Sequence, residues 1–214
     1  MGSMSPTEFD AFLRDSFGVF QEKAFKELNQ GIEYKLNWHH DKMVYEANLV
    51  RTGVTKRLLL NAPPRCLKSH VFSVALPAYM IGLNPAKKII CASYSESLAL
   101  KHANDFRRLV DSDWYKRAFS AVKLIKDAEA EICTSAGGFR LTTSVGGTLT
   151  GRGGDLLIID DPMNAAEAAS EASLQRVAEW FHSTVHSRLD EPENGSIIIV
   201  MQRLHHRDLT GVLL

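Results

Sequence analysis

Two short segments carry the groups that could do chemistry. Ala62 Pro63 Pro64 Arg65 Cys66 Leu67 Lys68 Ser69 His70 offers an amine and a hydroxyl near its end, and Leu156 Leu157 Ile158 Ile159 Asp160 Asp161 ends in two carboxylates. An amine and a hydroxyl directly after a tight loop are suited to holding phosphates. Loop N–H groups and the positive end of the next helix surround the phosphate oxygens, a lysine reaches the terminal ones, and a hydroxyl ligates Mg²⁺. Lys68 and Ser69 occupy the last two places of the pattern G-x-x-x-x-G-K-[ST], with Ala62 and Leu67 where its glycines would stand. Pro63, Pro64, Arg65, Cys66 and His70 complete the candidate loop. Leucine brings a Cβ, so position 67 is expected at negative φ with its side chain turned from the phosphate. Taken alone, the segment also reads as a Pro-terminated strand followed by a solvated lysine at a helix start.

The second segment has the form of a central parallel strand that delivers acids at its C-terminal edge, where open α/β sheets bind ligands. Asp160 is expected to hold the Mg²⁺ complex, and Asp161 to orient or deprotonate an attacking water. Pro162 stops the strand. The plainer alternative is a strand end whose two exposed acids begin a turn. Read together, the segments predict ATP and Mg²⁺ as ligands.

These groups need elements to position them. Arg57–Asn61 is an apolar run short enough for a buried strand, and Val71–Leu76 suits a packed helix, giving strand, loop and helix in the required order. Lys88–Ser93 reads as a second buried strand after the turn signal Asn84 Pro85, with a helix over Ser95–Val110. Ile132–Thr134 and Phe139–Thr143 read as a hairpin through Gly137 Gly138. Ser170–Leu189 reads as an amphipathic helix with a serine cap, and Gly195–Met201 as the last strand. Upstream, Pro6–Leu28 suggests two short helices broken near Gly18, and Trp38–Val50 a third. Trp38 with His39 could border a nucleotide base, although core packing is the favoured reading of Trp38. Alternating strands and helices predict a parallel sheet.

The chain has 214 residues, 45% of them hydrophobic, enough for a full core. With 25 basic and 25 acidic residues it has no bulk charge for nucleic acid, so any DNA contact must be local. Lys101, Arg107, Arg108, Lys116 and Arg117 form the densest basic region, and a wet helix face accounts for them. Cys66, Cys91 and Cys133 are odd in number and far apart, which fits neither a disulfide framework nor a metal knuckle. No apolar run reaches membrane-spanning length, and the opening Met1 Gly2 Ser3 Met4 looks like an expression-vector scar before a native Met4.

Arg152 stands among five glycines, Gly146, Gly147, Gly151, Gly153 and Gly154, in a loop that could extend it to a charge it does not touch at rest. It is the candidate arginine finger on the γ-phosphate. Pairing with Asp155 or Asp160 is the structural alternative, and Arg65 competes for the same task. Gln202 and Arg203 would emerge beside the acids if their strands are neighbours, and an amide there could sense the γ-phosphate. His205, His206 and Asp208 read as a helix-start region, and His182 with His186 lacks the glutamate of a zinc protease, so no metal site is assigned to either.

In combination these segments resemble the ATPase half of tailed-phage and prophage large terminase subunits. The likeness runs from about Trp38 to Leu214. It passes through Pro63 Pro64 Arg65 with Lys68 Ser69, Ala92 Ser93 Tyr94 Ser95, Thr143 Ser144 Val145 Gly146 Gly147, Thr150 Gly151 Arg152 Gly153, Ile158 Ile159 Asp160 Asp161 Pro162 and Met201 Gln202 Arg203 Leu204 His205. The resemblance implies an α/β, RecA-like P-loop ATPase core over 38–214, its mostly parallel sheet covered by helices on both faces, with 1–37 a tag remnant and helical cap. By position it puts Lys68 and Ser69 on phosphate and Mg²⁺, Arg65 on the γ-phosphate, Asp160 on Mg²⁺ and Asp161 as the catalytic carboxylate. Arg152 matches a finger inserted into the neighbouring subunit's site, and Gln202 falls in the segment linking hydrolysis to movement. Leu67 replaces the usual glycine, and an aspartate stands where many relatives keep glutamate. The implied partners are double-stranded DNA, a capsid portal, the small terminase subunit and further copies in a ring, in the cytoplasm of a bacterial host. Relatives continue into a ribonuclease-H-like nuclease. Ending at Leu214, this chain is expected to lack that activity and to hydrolyse ATP slowly as a monomer. A helicase-like or repair ATPase, and a catalytically weak nucleotide-binding assembly module, are the rival readings.

Overall fold

The computed structural model describes residues 5–147, 149 and 151–214. The tag reading of Met1–Met4, Thr148 and Thr150 of the glycine-rich loop, and the side chain of His186 lie outside the described residues.

Among those residues, seven strands form one sheet: β1 (Arg57–Asn61), β2 (Lys88–Ser93), β3 (Leu124–Asp127), β4 (Glu131–Thr134), β5 (Phe139–Ser144), β6 (Leu156–Asp160) and β7 (Ser196–Met201). Their spatial order is β1-β7-β6-β2-β5-β4-β3. The first five in that order run parallel, and β4 and β3 add an antiparallel margin. Strands β6 and β7 are buried along their whole length, so their apolar runs need no polar alternation. Alternate residues feed opposite layers. Ile89, Leu156, Ile158, Ile198 and Val200 join one core, while Ile90, Leu157, Ile159, Ile197 and Ile199 join the other. The hairpin is present as the β4–β5 pair. Two expectations change. Strand β1 is an edge strand, half exposed rather than buried, because β7 covers only one of its sides. Strand β3, short and largely exposed, carries too little apolar pattern to have been expected.

The first core is roofed by α1 (Pro6–Asp15), α2 (Phe17–Leu28), α3 (Trp38–Arg51), α4 (Leu76–Leu83), α5 (Glu96–Asp111) and α6 (Asp113–Ala118). The second is covered by α7 (Glu171–Trp180) and α8 (Leu209–Leu213). The break between α1 and α2 falls at Ser16, two residues before Gly18. Ser16 ends α1 and caps α2, its hydroxyl accepting the Val19 N–H, whereas Gly18 lies inside the first turn of α2. Ser170 caps α7 as expected. The helix then changes character, passing into a π-helical turn at Phe181–Val185 and a 3-10 turn at His186–Arg188.

The helix after the candidate loop is also irregular. It opens as a π-helical turn over His70–Ala75, where the Leu76 N–H bonds Val71 O, before becoming α4. Pro77 accounts for the widening. It has no N–H for the Ser73 carbonyl, and its ring crowds that oxygen.

Candidate active site

The two chemical segments meet at the C-terminal edge of the sheet. Asn61 is in register with Met201, and Asp160 lies between Val200 and Ser93, so β7 separates the loop-bearing strand from the acid-bearing one. The loop leaves β1 with the Ala62 N–H donating to Met201 O at 3.1 Å. It ends where Lys68 Nζ donates to Asp161 Oδ2 at 2.7 Å and Ser69 Oγ donates to Asp160 Oδ1 at 3.0 Å. The Gln202 N–H donates to the other Asp161 oxygen at 3.2 Å. A lysine, a hydroxyl and two carboxylates thus form one cluster, with Lys68 and Asp160 both buried. The reading of Asp160 and Asp161 as two solvated acids at a turn is excluded by this geometry.

Among the described residues, the three non-glycine positions at positive φ all belong to this cluster or its loop: Arg65 at 64°, Leu67 at 60° and Asp161 at 44°. The expectation of negative φ at Leu67 is therefore wrong. The loop keeps the backbone path that a glycine would take and forces leucine to follow it, at a cost of roughly 1–2 kcal/mol. The side chain is half-buried and lines a cavity together with Val74 and His102. Leu67→Gly would relieve strain and lose contact, whereas Leu67→Ala would keep the strain and lose the contact as well. The usual order should invert, with Leu67→Gly the more stable of the two by about 1 kcal/mol in denaturant unfolding.

Asp160 is the electrostatic centre. Its second oxygen, Oδ2, accepts from Ser73 Oγ at 2.7 Å, and His102 Nδ1 lies 3.6 Å from the same atom. Burial first, with the neighbouring Asp161 charge adding to it, pushes the carboxyl up to about 6 despite the opposing Ser73, Ser69 and Lys68 contacts. Between about pH 4 and pH 6 the folded chain binds this proton more tightly than the unfolded chain does. Asp160 therefore lowers stability as pH rises through that window. Half-buried His70 and buried His102 are driven the other way, each down to about 4, mainly by desolvation, so the total profile mixes opposite slopes. The difference against Asp160→Asn isolates the carboxyl. The variant should be more stable than the parent by about 2–3 kcal/mol above pH 6, a gap that closes toward pH 4 in matched unfolding titrations.

The other expected site residues fall into three groups. Pro63, Pro64 and Arg65 are exposed on the loop, and Arg65 makes no hydrogen bond or ion pair with any described residue. Cys66 and Pro63 line a cavity of about 470 Å³ together with Trp38, His39, Lys42 and Leu60. Trp38 is 77% exposed there, which corrects the expectation that it packs in the core. Its position at the first turn of α3 puts it on the cavity wall. The His70 ring meets the Gln21 carbonyl at 3.2 Å and the Phe25 ring, so only its backbone N–H can serve the loop.

Arg152 lies elsewhere. It pairs with Glu131, not with Asp155 or Asp160, and its guanidinium stands 5.4 Å from the ring centre of Phe139, the first residue of β5. Phe139 is at the N-terminal edge of the sheet, level with Lys88, whereas the acids are level with Ser93 and Ser144. At 3.3 Å per strand residue, the finger candidate is on the order of 16 Å from this chain's own acids. The basic region is neutralised in place. Lys101 and Arg108 pair with Asp105, Arg107 with Asp127, Lys116 with Asp111 and Arg117 with Asp10. Asp208 caps α8 as expected, and among the described residues no group of three or more histidine, cysteine and acidic side chains is placed to hold a metal. Sequence reading missed Ser73 and His102. Ser73 follows Ser69 by one helical turn, a spacing that puts both hydroxyls on one face and could have signalled it.

The donor set suits Mg²⁺, a hard cation that takes one or two protein oxygens and keeps several waters. Asp160 Oδ1 and Ser69 Oγ are the two oxygens at hand, already 3.0 Å apart. No protein-family model matches the sequence, and no curated protein matches it. Among solved structures, the large terminase of bacteriophage HK97 is similar to this chain with a TM-score of 0.57 at 12% identity, over 90% of this chain and 40% of that one. The chain thus spans about two fifths of that protein's length. At this identity the likeness establishes the fold, a terminase-like RecA-type α/β architecture. Among the described residues no helix is long and apolar enough to cross a membrane.

Proposed function

We propose that this chain is the ATP-hydrolysing motor domain of a viral DNA-packaging terminase. The observation that carries the reading is the convergence of Lys68 and Ser69 from one loop with Asp161 and Asp160 from a separate strand, at the sheet edge where such folds bind ligands. The terminase-like fold adds the packaging context.

Lys68 binds the terminal phosphates, exchanging its contact with Asp161 for phosphate oxygens. Ser69 and Asp160 hold Mg²⁺, which when bound neutralises charge developing on the phosphates. Asp161, released from Lys68 and still held by the Gln202 N–H, orients the attacking water. The cavity walled by Trp38 and Cys66 receives the base, where an exposed indole offers a stacking face. Arg65 acts in its own site. Arg152, on the opposite edge, serves the site of a neighbouring copy in a homo-oligomeric ring. Gln202, bonded to Asp161 and continuous with β7, transmits the state of the phosphate site to the segment beyond. The partners are double-stranded DNA, the capsid portal and the small terminase subunit, in the bacterial host cytoplasm.

Phosphate release by the purified chain with Mg²⁺ and ATP, with and without double-stranded DNA, tests the reading. Slow hydrolysis is expected from the monomer, with no strand separation on a forked DNA. Unwinding would favour a helicase-like ATPase. Nucleotide binding with no hydrolysis even in an assembled, DNA-bearing complex would leave an assembly module, and absence of nucleotide binding would remove the proposal altogether.

A further inference from the structure

The buried layer beneath Asp160 contains an arginine that no carboxylate accompanies. Arg140 on β5 is 2% exposed, and among the described residues it forms no ion pair. Its Nη2 donates to the Ser73 carbonyl at 3.1 Å and its Nη1 to Thr142 Oγ1 at 2.5 Å, its Nε has no partner, and the guanidinium lies 5.0 Å from the Phe106 ring centre. A guanidinium buried without a counter-charge is costly, and the site it serves explains its presence. The carbonyl it meets is the one whose donor four residues on would be Pro77, which has no N–H.

Ser73 is thereby fixed at both ends. A serine inside a helix commonly turns its hydroxyl back to the carbonyl one turn earlier. Here the hydroxyl crosses instead to the neighbouring strand and donates to Asp160 Oδ2 at 2.7 Å. That bond engages the oxygen facing the core and leaves Oδ1, the one met by Ser69, toward the loop.

We propose that Ser73 is a positioning residue that fixes which oxygen of Asp160 is presented to the metal, with Pro77 and Arg140 aiming its hydroxyl. The inference rests on the reading that Asp160 and Ser69 hold Mg²⁺. It separates from general nucleotide binding because the loop and Lys68 do not depend on the Ser73 hydroxyl.

Mn²⁺ is the probe. Its affinity for the chain in the presence of ADP is measured by electron paramagnetic resonance, and ADP affinity without metal by titration in EDTA. Ser73→Ala should weaken Mn²⁺ binding about tenfold while metal-free ADP affinity stays within twofold of the parent. Ser73→Thr, which keeps the hydroxyl, should hold Mn²⁺ within threefold of the parent. Circular dichroism checks folding, and Ser73→Cys, similar in bulk but a poor donor, replaces the alanine variant if that fails to fold. Unchanged Mn²⁺ affinity in Ser73→Ala, a proportionate loss of ADP in EDTA, or a threonine variant as weak as alanine would each overturn the assignment. A parent chain that binds neither ADP nor Mn²⁺ removes the underlying nucleotide reading and this inference with it. A parent that binds both, beside an unaffected Ser73→Ala, removes this inference alone.

Discussion

Lys68→Ala should weaken ATP binding and reduce its hydrolysis about 10²–10³-fold, the range seen when one preorganised donor is taken from a transition state's charge. The physical basis is the placement of the amine. Its side chain is 7% exposed and 2.7 Å from Asp161 Oδ2, in a buried setting where a charge contact is worth far more than in water. Alanine would also leave Asp161 without its cation, so the water-orienting carboxylate would lose its set position together with the phosphate. Lys68→Arg is not a mild substitute, because the planar fork cannot take the place of a compact amine at the end of a tight loop. Equilibrium titration with ATP and single-turnover hydrolysis separate the two effects. Equal ATP affinity in parent and Lys68→Ala would sink the proposed phosphate contact, whatever happened to turnover.

Arg152→Ala carries the second large expectation. An arginine finger contributes roughly 10³ to 10⁵ in rate, so the assembled complex should lose about that factor while nucleotide affinity of the isolated chain stays unchanged. The separation of Arg152 from its own acids makes the effect a property of assemblies. The glycines around it, with Gly146 and Gly151 at positive φ, provide backbone freedom for the arginine to leave Glu131 and Phe139. Mixing gives the decisive measurement. Subunits bearing Arg152→Ala and subunits bearing Lys68→Ala, each inactive alone, should regain hydrolysis when combined, because some interfaces then unite an intact loop with an intact finger. Mixed assemblies as inactive as either parent would place the arginine's role inside one subunit or remove it from the chemistry.

The sequence by itself determined the strands that carry the site. Arg57–Asn61, Lys88–Ser93 and the Leu156–Asp160 run appear in the structure within the bounds expected, because uninterrupted apolar runs closed by loop or acidic residues have few other ways to fold in an α/β chain. Lys68, Ser69, Asp160 and Asp161 were identifiable for the same reason: each terminates or follows an element whose direction the pattern gives. Local propensity did not determine the backbone at Leu67. A leucine prefers negative φ, and only the demand that the loop close between β1 and its helix drives it to 60°. Trp38 shows the complementary case, since an indole is expected inside, and the folding of α3 alongside β1 leaves it on a cavity wall instead. His102 and Arg140 have no local signature of their own, and Ser73 has only its one-turn spacing from Ser69. Their contacts with or beneath Asp160 arise only where the π-helical turn and α5 pack over the neighbouring strands β6, β2 and β5. The placement of Arg152 at the far edge is decided in the same way, by a crossover from β5 to β6 that carries it back along the sheet. Patterning reads residues a few positions apart, whereas burial, charge and reach depend on which distant elements become neighbours, and tertiary packing alone sets that.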